Sequence, residues 1–275
     1  EDGNKLYGNA LLVVGIYEYQ VDQLDEDFLN DMSQYADEGF DREFFQTKIS
    51  QLRVVPVEES ITPEHFTPSY EEIKMITENA KEPVAVGDCV CRKGKKVRGN
   101  DCKTTSRMET CMGFGHYAQM YIDQGWAKQV TKEEAIKVLE KNMEEGLVFQ
   151  VTNIKDPYFI CSCCTCCCGM LSDLKAFPRP TEFIHTNYYA EVDRDACIGC
   201  EACVNRCPMG ALRMVRETSK VKLRKCIGCG NCVPVCPEGA ILLRKREEEH
   251  VPFETEEELY DEILMKKREI REKRG

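Results

Sequence analysis

Eighteen of the 275 residues are cysteine, and their spacing is the first feature of the sequence that could do chemistry. Eight of them form two runs of the pattern C-x2-C-x2-C-x3-C-P, with every cysteine recurring at an offset of 29 positions. They are Cys197, Cys200, Cys203, Cys207, Cys226, Cys229, Cys232 and Cys236. Three thiolates at this spacing on a looping backbone can reach three corners of an iron–sulfur cube. The fourth, beside a proline, faces away and is expected to serve the cube of the other run.

This block resembles a bacterial two-cluster [4Fe–4S] ferredoxin over about 55 residues. The resemblance implies one cluster held by Cys197, Cys200, Cys203 and Cys236, and a second held by Cys226, Cys229, Cys232 and Cys207. Gly199 and Gly228 follow the family, where a missing side chain leaves the backbone close to the inorganic sulfide. Zinc is the alternative for paired C-x2-C motifs, but the repeated register and the C-P after each triplet favour iron–sulfur cubes.

The other ten cysteines are bunched in two groups between residues 81 and 185. They are Cys89, Cys91, Cys102, Cys111, Cys161, Cys163, Cys164, Cys166, Cys167 and Cys168. Alternate side chains of a strand face opposite ways, so the two groups must fold together and divide ligands between them. Ten thiols suffice for two clusters, or for one cluster with several structural or reactive thiols. The sequence therefore predicts one or two further iron–sulfur clusters here.

The Cys-rich stretch resembles the N-terminal region of uncharacterised iron–sulfur proteins of anaerobes that end in a ferredoxin module. The resemblance rests on the motif C-x-C-R at residues 89–92, two spaced cysteines, a helical pair and the closing Cys-rich run. Residues 167–169 are also similar to the CCG motif of heterodisulfide-reductase-type subunits, although the C-x2-C partner of that motif stands at an unsuitable spacing. The segment from Arg92 to Arg98 is rich in lysine and arginine. These cations either favour the reduced form of a nearby cluster or belong to a solvated loop.

The pattern predicts an α+β fold, made of a ferredoxin-like 2[4Fe–4S] module, a Cys-rich α+β iron–sulfur domain and a terminal helix. The expected division is an acidic, cysteine-free α+β region over 1–80, a Cys-rich iron–sulfur domain over 81–185, a dicluster ferredoxin domain over 186–247 and a C-terminal helix over 248–275.

Local patterns predict several elements. Strands are expected at Leu11–Tyr17 and Leu147–Val151, and helices at Asp27–Glu38, Tyr70–Ala80, Met108–Gly125 and Thr131–Gly146. Capping boxes are expected where Thr131 precedes Glu134 and where Thr255 precedes Glu258.

Charge and hydropathy narrow the class of protein. The net charge is -11, and the first 80 residues alone carry -13, from 18 acidic and 5 basic side chains. This acidic part is either a solvated surface or a docking face for a basic partner, and neither favours nucleic acid. The longest uncharged apolar run spans eight residues, whereas a membrane helix needs roughly 20. No membrane span is predicted.

Thiolate ligands require a reducing compartment, so a cytoplasmic location is expected. The chain begins with Glu1 instead of Met, as it would if a preceding domain or targeting segment had been removed. G-x-G-x-x-G, Walker and G-x-S-x-G motifs are missing from the sequence, and no catalytic residue is predicted.

The sequence thus predicts a multi-cluster iron–sulfur subunit that passes single electrons between a redox enzyme subunit and a ferredoxin-type carrier, within a larger complex. Two alternatives remain open: an iron–sulfur redox or iron sensor, and a disulfide- or sulfur-reducing subunit whose cluster has an open coordination site. The expected iron content is roughly 12–16 per chain, at four cysteines per cube.

Overall fold

The computed structural model describes residues 11–57 and 69–273. The α-helices in this part of the chain are α1 (Glu26–Tyr35), α2 (Asp41–Phe45), α3 (Ile73–Asn79), α4 (Val90–Val97), α5 (Gly115–Asp123), α6 (Lys132–Glu144), α7 (Gly169–Ala176), α8 (Ala202–Arg206) and α9 (Glu256–Glu272). The strands are β1 (Leu52–Val55), β2 (Val84–Asp88), β3 (Glu109–Phe114), β4 (Ala127–Val130), β5 (Val148–Thr152), β6 (Phe159–Cys163), β7 (Tyr188–Val192), β8 (Leu212–Val215), β9 (Thr218–Val221) and β10 (Ile241–Lys245). The fold is mixed α and β, as the sequence predicts.

Six of the described strands form one antiparallel sheet in the order β1-β5-β6-β3-β2-β4. Alternate residues of a strand face opposite sides. Met112, Phe114 and Ile160 pack with α3 and α6 in a buried cluster on one face. Cys111 and Cys161, which follow the opposite phase of β3 and β6, therefore lie on the other face. The sheet places a hydrophobic core on one side and thiols on the other.

The acidic N-terminal segment covers the thiol face. It contributes a π-helical turn (Leu12–Ile16) and α1 above the sheet, and β1 to the sheet itself. Arg98 at the end of α4 donates to the backbone carbonyl of Leu29 at 2.6 Å, and Lys93 pairs with Asp22 at 2.7 Å. At least one acidic side chain of the N-terminal segment, that of Asp22, thus forms an ion pair within the protein.

The ferredoxin-like module consists of the β7–β10 ladder, the β8–β9 hairpin and the loops around them. It contacts the C-terminal end of α6, where Arg206 donates to the carbonyl of Met143 at 2.9 Å and Asn231 to that of Gly146 at 2.8 Å. The Met143 carbonyl lies in the last turn of α6, where carbonyls lack intrahelical partners, and Gly146 follows directly after the helix. The module therefore caps the helix behind the sheet.

The terminal helix α9 packs beside the edge of the sheet. Leu259 and Ile263 are buried with Ile154, and Tyr260 donates to the side-chain amide oxygen of Gln51 at 3.2 Å. Within the described residues, no helix combines the length and apolar character needed to cross a membrane.

Several local predictions are confirmed. The helices near Asp27 and Tyr70, the strand at Val148 and the terminal helix are present, and the reciprocal capping box of Thr131 and Glu134 forms at α6. At α9, Thr255 accepts from the Glu258 N–H, but the Glu258 carboxylate accepts from the N–H of Glu254. This second cap is therefore not the reciprocal box that was expected.

Two predicted elements are wrong. The segment Leu11–Tyr17 is helical because it lies over the sheet and pairs with none of its strands. The segment Met108–Gly125 is a strand followed by a helix, with Gly115 at φ +57 between them. Pairing with β2 and β6 overrides the helical pattern of its first half. Gly113 permits the fold-back, since a Cβ there would lie 2.9 Å from the Tyr117 ring.

The half-buried histidine His185 generates a prediction about pH. Its Nδ1 lies 2.8 Å from the Asn153 amide nitrogen, its ring stacks on His250, and burial and the neighbouring His250 lower its pKa to about 4. The folded protein favours the neutral imidazole. The contribution of this group to the free energy of unfolding is therefore complete above about pH 6.5, its pKa in the unfolded chain, and is lost as the pH falls. We expect the free energy of unfolding to fall by about 2 kcal/mol between pH 7 and pH 5 from this group.

His185→Asn keeps an acceptor for the Asn153 amide and should remove this fall in the free energy of unfolding. Urea unfolding of wild type and variant at both pH values measures it, with His116→Asn, on the exposed surface, as the control. Equal acid sensitivity in wild type and His185→Asn would contradict the assignment.

Candidate metal centres

The eight cysteines of the ferredoxin repeat lie around two small cavities. The first cavity has four thiol residues in its wall, namely Cys197, Cys200, Cys203 and Cys236. The second has the other four, namely Cys207, Cys226, Cys229 and Cys232. The structure thus brings together the two crossed sets that the ferredoxin resemblance implies. We call them the outer and inner sites, respectively.

Backbone N–H groups point at the sulfurs of both sites. Ala211 donates to Cys207 at 3.2 Å and Ala190 to Cys226 at 3.3 Å in the inner site, and Ser219 donates to Cys197 at 3.5 Å in the outer one. Hydrogen bonds to a thiolate favour its charged form. Burial raises the pKa of the Cys226 thiol, so these donors would matter most once a cluster has displaced the proton.

The two sites differ in exposure. Cys200 of the outer site is exposed, and its neighbour Ile198 is 63% exposed. The inner site faces the rest of the protein: the carbonyl of Cys229 accepts from Val57 at 3.1 Å, and Asn231 beside it reaches α6. Solvent and partners therefore have access mainly to the outer site.

Gly199 and Gly228 occupy equivalent positions in these sites and adopt left-handed backbone angles, φ +71 and +63. A Cβ at Gly199 would overlap the carbonyl oxygen of Glu217, and one at Gly228 would overlap that of Tyr188. The structure thus adds a reason for glycine that the sequence did not indicate. Each loop needs both the left-handed angle and a close approach to a neighbouring backbone carbonyl.

Six of the remaining ten thiols form a closed ring on the thiol face of the sheet. In order around the ring they are Cys89, Cys91, Cys168, Cys163, Cys161 and Cys111, and each thiol interacts with the next. We call this the six-thiol ring. Its members come from β3, β6 and the starts of α4 and α7, so both sequence groups contribute to it.

Helix ends favour negative charge in the ring. Cys89 and Cys168 are the N-cap residues of α4 and α7, where the helix dipole stabilises a thiolate. Hydrogen bonds from Cys163 and Cys91, and then the N–H of Leu171, hold the pKa of Cys168 well below its usual range. The pKa of Cys111 is likewise lowered, first by its hydrogen bond with Cys161, whereas the pKa values of the other four ring thiols are raised. Cys111 and Cys168 are therefore the ring thiols that ionise most readily.

The other four thiols, Cys102, Cys164, Cys166 and Cys167, form a compact group with all sulfurs within 4.8 Å of one another. We call this the four-thiol group. Cys102 lies 3.6 Å from Cys164 and 3.7 Å from Cys166, and Cys166 lies 3.4 Å from Cys164 and 3.7 Å from Cys167. The loop after α4 is thereby joined to the turn between β6 and α7.

Arg92 lies between the ring and the four-thiol group and is only 1% exposed. Its guanidinium donates to the Thr110 hydroxyl and, at 2.8 Å, to the carbonyl of Ser162, both neutral. Burial opposes its charge, but the neighbouring sulfurs of Cys89 and Cys111, when ionised, keep its pKa above the usual value. The sequence suggested a cation beside a cluster; the structure shows one cation serving two thiol groups.

A cavity of about 360 Å³ lies between the ring and the N-terminal helical segment. Apolar side chains such as Leu12, Leu29 and Phe159 share its wall with the ring thiols. Glu18 also lines it, and burial raises the pKa of this carboxyl to about 8. Sequence reasoning missed Glu18, because no spacing connects a single acid near residue 18 with cysteines at 89–168.

Gly228→Ala is expected to destabilise the module. The left-handed angle and the overlap with the Tyr188 carbonyl together should cost at least about 2 kcal/mol. Gly239→Ala is the matched control, since it has the same left-handed angle (φ +61) with nothing within 4 Å of the added carbon, and should cost only about 1 kcal/mol. Urea unfolding midpoints of the two variants measure the difference; equal midpoints would show that the close approach is not limiting.

Comparison with known families bears on the ferredoxin-like module. Residues 189–237 match the model of a 4Fe-4S dicluster domain, and residues 225–268 match a second model of the same description. No curated protein matches the chain. The matched segment contains the outer and inner sites, and the eight cysteines around them fit two cubes. The C-terminal part of the chain is therefore a ferredoxin-like 4Fe-4S dicluster module, and the protein binds iron–sulfur clusters.

Proposed function

We propose that the protein is a multi-cluster electron-transfer subunit in which electrons enter at the outer site, pass to the inner site and continue to a cluster held by the six-thiol ring. The observation that carries this proposal is one continuous buried core. Cys163 and Cys168 of the ring lie in the same hydrophobic cluster as Cys203 of the outer site and Cys226 and Cys232 of the inner site.

The order of the sites follows from exposure and contact. The outer site has the exposed Cys200 and Ile198, so a soluble carrier can approach it. The inner site contacts the Cys-rich part through Val57 and Asn231. Electron transfer slows steeply with distance, so a route through the inner site is faster than a direct step from the outer site to the ring.

The ring fits a polynuclear cluster better than a single ion. Among the described residues, no three ring sulfurs lie within 4.8 Å of one another, so one ion cannot contact them all. Two helix N-termini and Arg92 favour the anionic state that thiolate ligands require. A bound cluster supplies one-electron chemistry, whereas the protein provides burial, hydrogen bonds and charge.

The partners in this proposal are a redox enzyme subunit on one side and a ferredoxin-type carrier at the outer site, in a reducing compartment such as the cytoplasm. A sensor would instead change state through loss or conversion of a cluster. Repeated reduction and reoxidation with intact spectra therefore favours the carrier over the sensor.

The route is tested by removing one ligand from each ferredoxin site. Cys229→Ala should leave the outer cube reducible but slow reduction of the ring centre by an order of magnitude or more, because the intermediate step is lost. Cys200→Ala should slow reduction of both the inner site and the ring centre. Rapid-freeze electron paramagnetic resonance with a reduced bacterial two-cluster ferredoxin as donor follows each centre.

Dithionite is the control, since this small reductant can reach each centre without the relay. Equal rates with dithionite in all variants show that the ring centre itself is intact. A ring centre in Cys229→Ala that the protein donor reduces at the wild-type rate would contradict the route.

The cavity beside the ring favours a second candidate function, reduction of a small disulfide. An apolar space of about 360 Å³ next to cluster thiols could hold such a substrate. Two electrons delivered singly by the clusters would break its S–S bond, and two protons would complete two thiols. Glu18, protonated at neutral pH because burial raises its pKa, could donate one of them, and solvent water the other.

Filling the cavity separates the two functions. Ala36 lines the cavity, whereas the adjacent Asp37 is exposed and does not. Ala36→Phe should abolish disulfide reduction and leave electron transfer to the ring unchanged, with Asp37→Phe as the matched control. Turnover of a small aliphatic disulfide by the reduced protein is the measurement. No turnover in the wild type, or equal turnover in both variants, would rule out a substrate site in this cavity.

A further inference from the structure

The four-thiol group differs from every other set of cysteines in the described part of the chain. Its four sulfurs lie within 4.8 Å of one another, with the shortest separations between 3.4 and 3.7 Å. No other trio of His, Cys, Asp or Glu side chains among the described residues brings its ligand atoms that close together. Such a group needs an explanation of its own.

The separations match those of sulfurs that share a single ion. A tetrahedral zinc ion with Zn–S bonds of about 2.3 Å places its sulfurs ~3.8 Å apart. In a [4Fe–4S] cube each thiolate binds a different iron, so its four sulfurs stand much further from one another. The observed distances are therefore too short for a cube.

The ferredoxin-like module provides an internal comparison. Its eight cysteines are grouped around two cavities, yet no three of their sulfurs approach within 4.8 Å of one another. The same protein thus holds its cluster ligands apart and its four-thiol group together. The difference indicates two kinds of metal centre.

We propose that Cys102, Cys164, Cys166 and Cys167 bind one tetrahedral Zn²⁺ ion. The tetrathiolate set is among the donor sets that zinc prefers. Thr104 and Thr105 donate their N–H groups to Cys102 at 3.4 and 3.5 Å. These bonds orient the ligands and offset part of their negative charge, as does the nearby guanidinium of Arg92.

The ion has a structural role in this arrangement. Residues 99–108 contain no helix or strand, and Cys102 is separated from its partners by more than 60 residues along the chain. Zinc binding would fix this loop to the turn before α7. Because zinc has no redox chemistry, the loop would keep its position while the neighbouring clusters change charge.

Metal analysis of matched variants tests the proposal. Wild-type protein isolated anaerobically should contain one zinc per chain in addition to its cluster iron. Cys166→Ser should lose the zinc and retain its iron and its electron paramagnetic resonance spectrum. Cys161→Ser, which alters the six-thiol ring, should lose iron and retain the zinc. Loss of iron from Cys166→Ser with no zinc in the wild type would overturn the proposal.

A measurement on the wild-type protein tests the proposal even if the variants fail to fold. Zinc X-ray absorption of the wild type should show four sulfur neighbours at about 2.3 Å. Protein produced with Co²⁺ should show the intense ligand-field bands of a tetrahedral cobalt thiolate. A mononuclear iron at these four thiols, or zinc with oxygen or nitrogen neighbours, would refute the zinc assignment.

Discussion

Arg92 carries a charge in a place where water cannot solvate it, and its hydrogen bonds go to a hydroxyl and a carbonyl. An uncompensated buried ion costs several kcal/mol. The sulfurs of Cys89 and Cys111 offset this cost when they are ionised. The pKa of Cys111 is held well below its usual range, whereas the hydrogen bond with Cys111 raises the pKa of Cys89 to about 12. The thiol face of the sheet is therefore more stable when enough of its sulfurs are ionised, and metal binding would keep buried thiols in that state.

This requirement extends to the ferredoxin-like module. Arg206 and Asn231 of the module cap α6, whose other side packs on the sheet that carries the ring thiols. Leu171 of α7, three residues after the ring thiol Cys168, lies in one core with Ile227 of the inner site. Loss of metal from the ring would thus disturb the packing that holds the module.

The sequence could predict what is local. C-x2-C-x2-C places three ligands of each site within seven residues, and the ferredoxin resemblance implied the crossed fourth ligand, so the ferredoxin cysteines could be grouped as the structure groups them. The sequence could not divide the other ten, since the partners of Cys102 and Cys111 depend on the long-range register of β3 and β6. The same register turned a predicted helix at Met108 into a strand. The position of Glu18 and the cavity beside it arise from tertiary packing, and no sequence pattern indicates them.

The Cys-rich run at 161–168 also explains why the two thiol groups occur together. Neighbouring side chains in an extended chain point opposite ways, so Cys163 faces the six-thiol ring and Cys164 the four-thiol group. After the turn, Cys167 belongs to the four-thiol group and Cys168 to the ring. A single peptide bond links the two centres at each of these points. An ion in the four-thiol group would therefore hold the run in the one conformation that presents Cys163 and Cys168 to the ring.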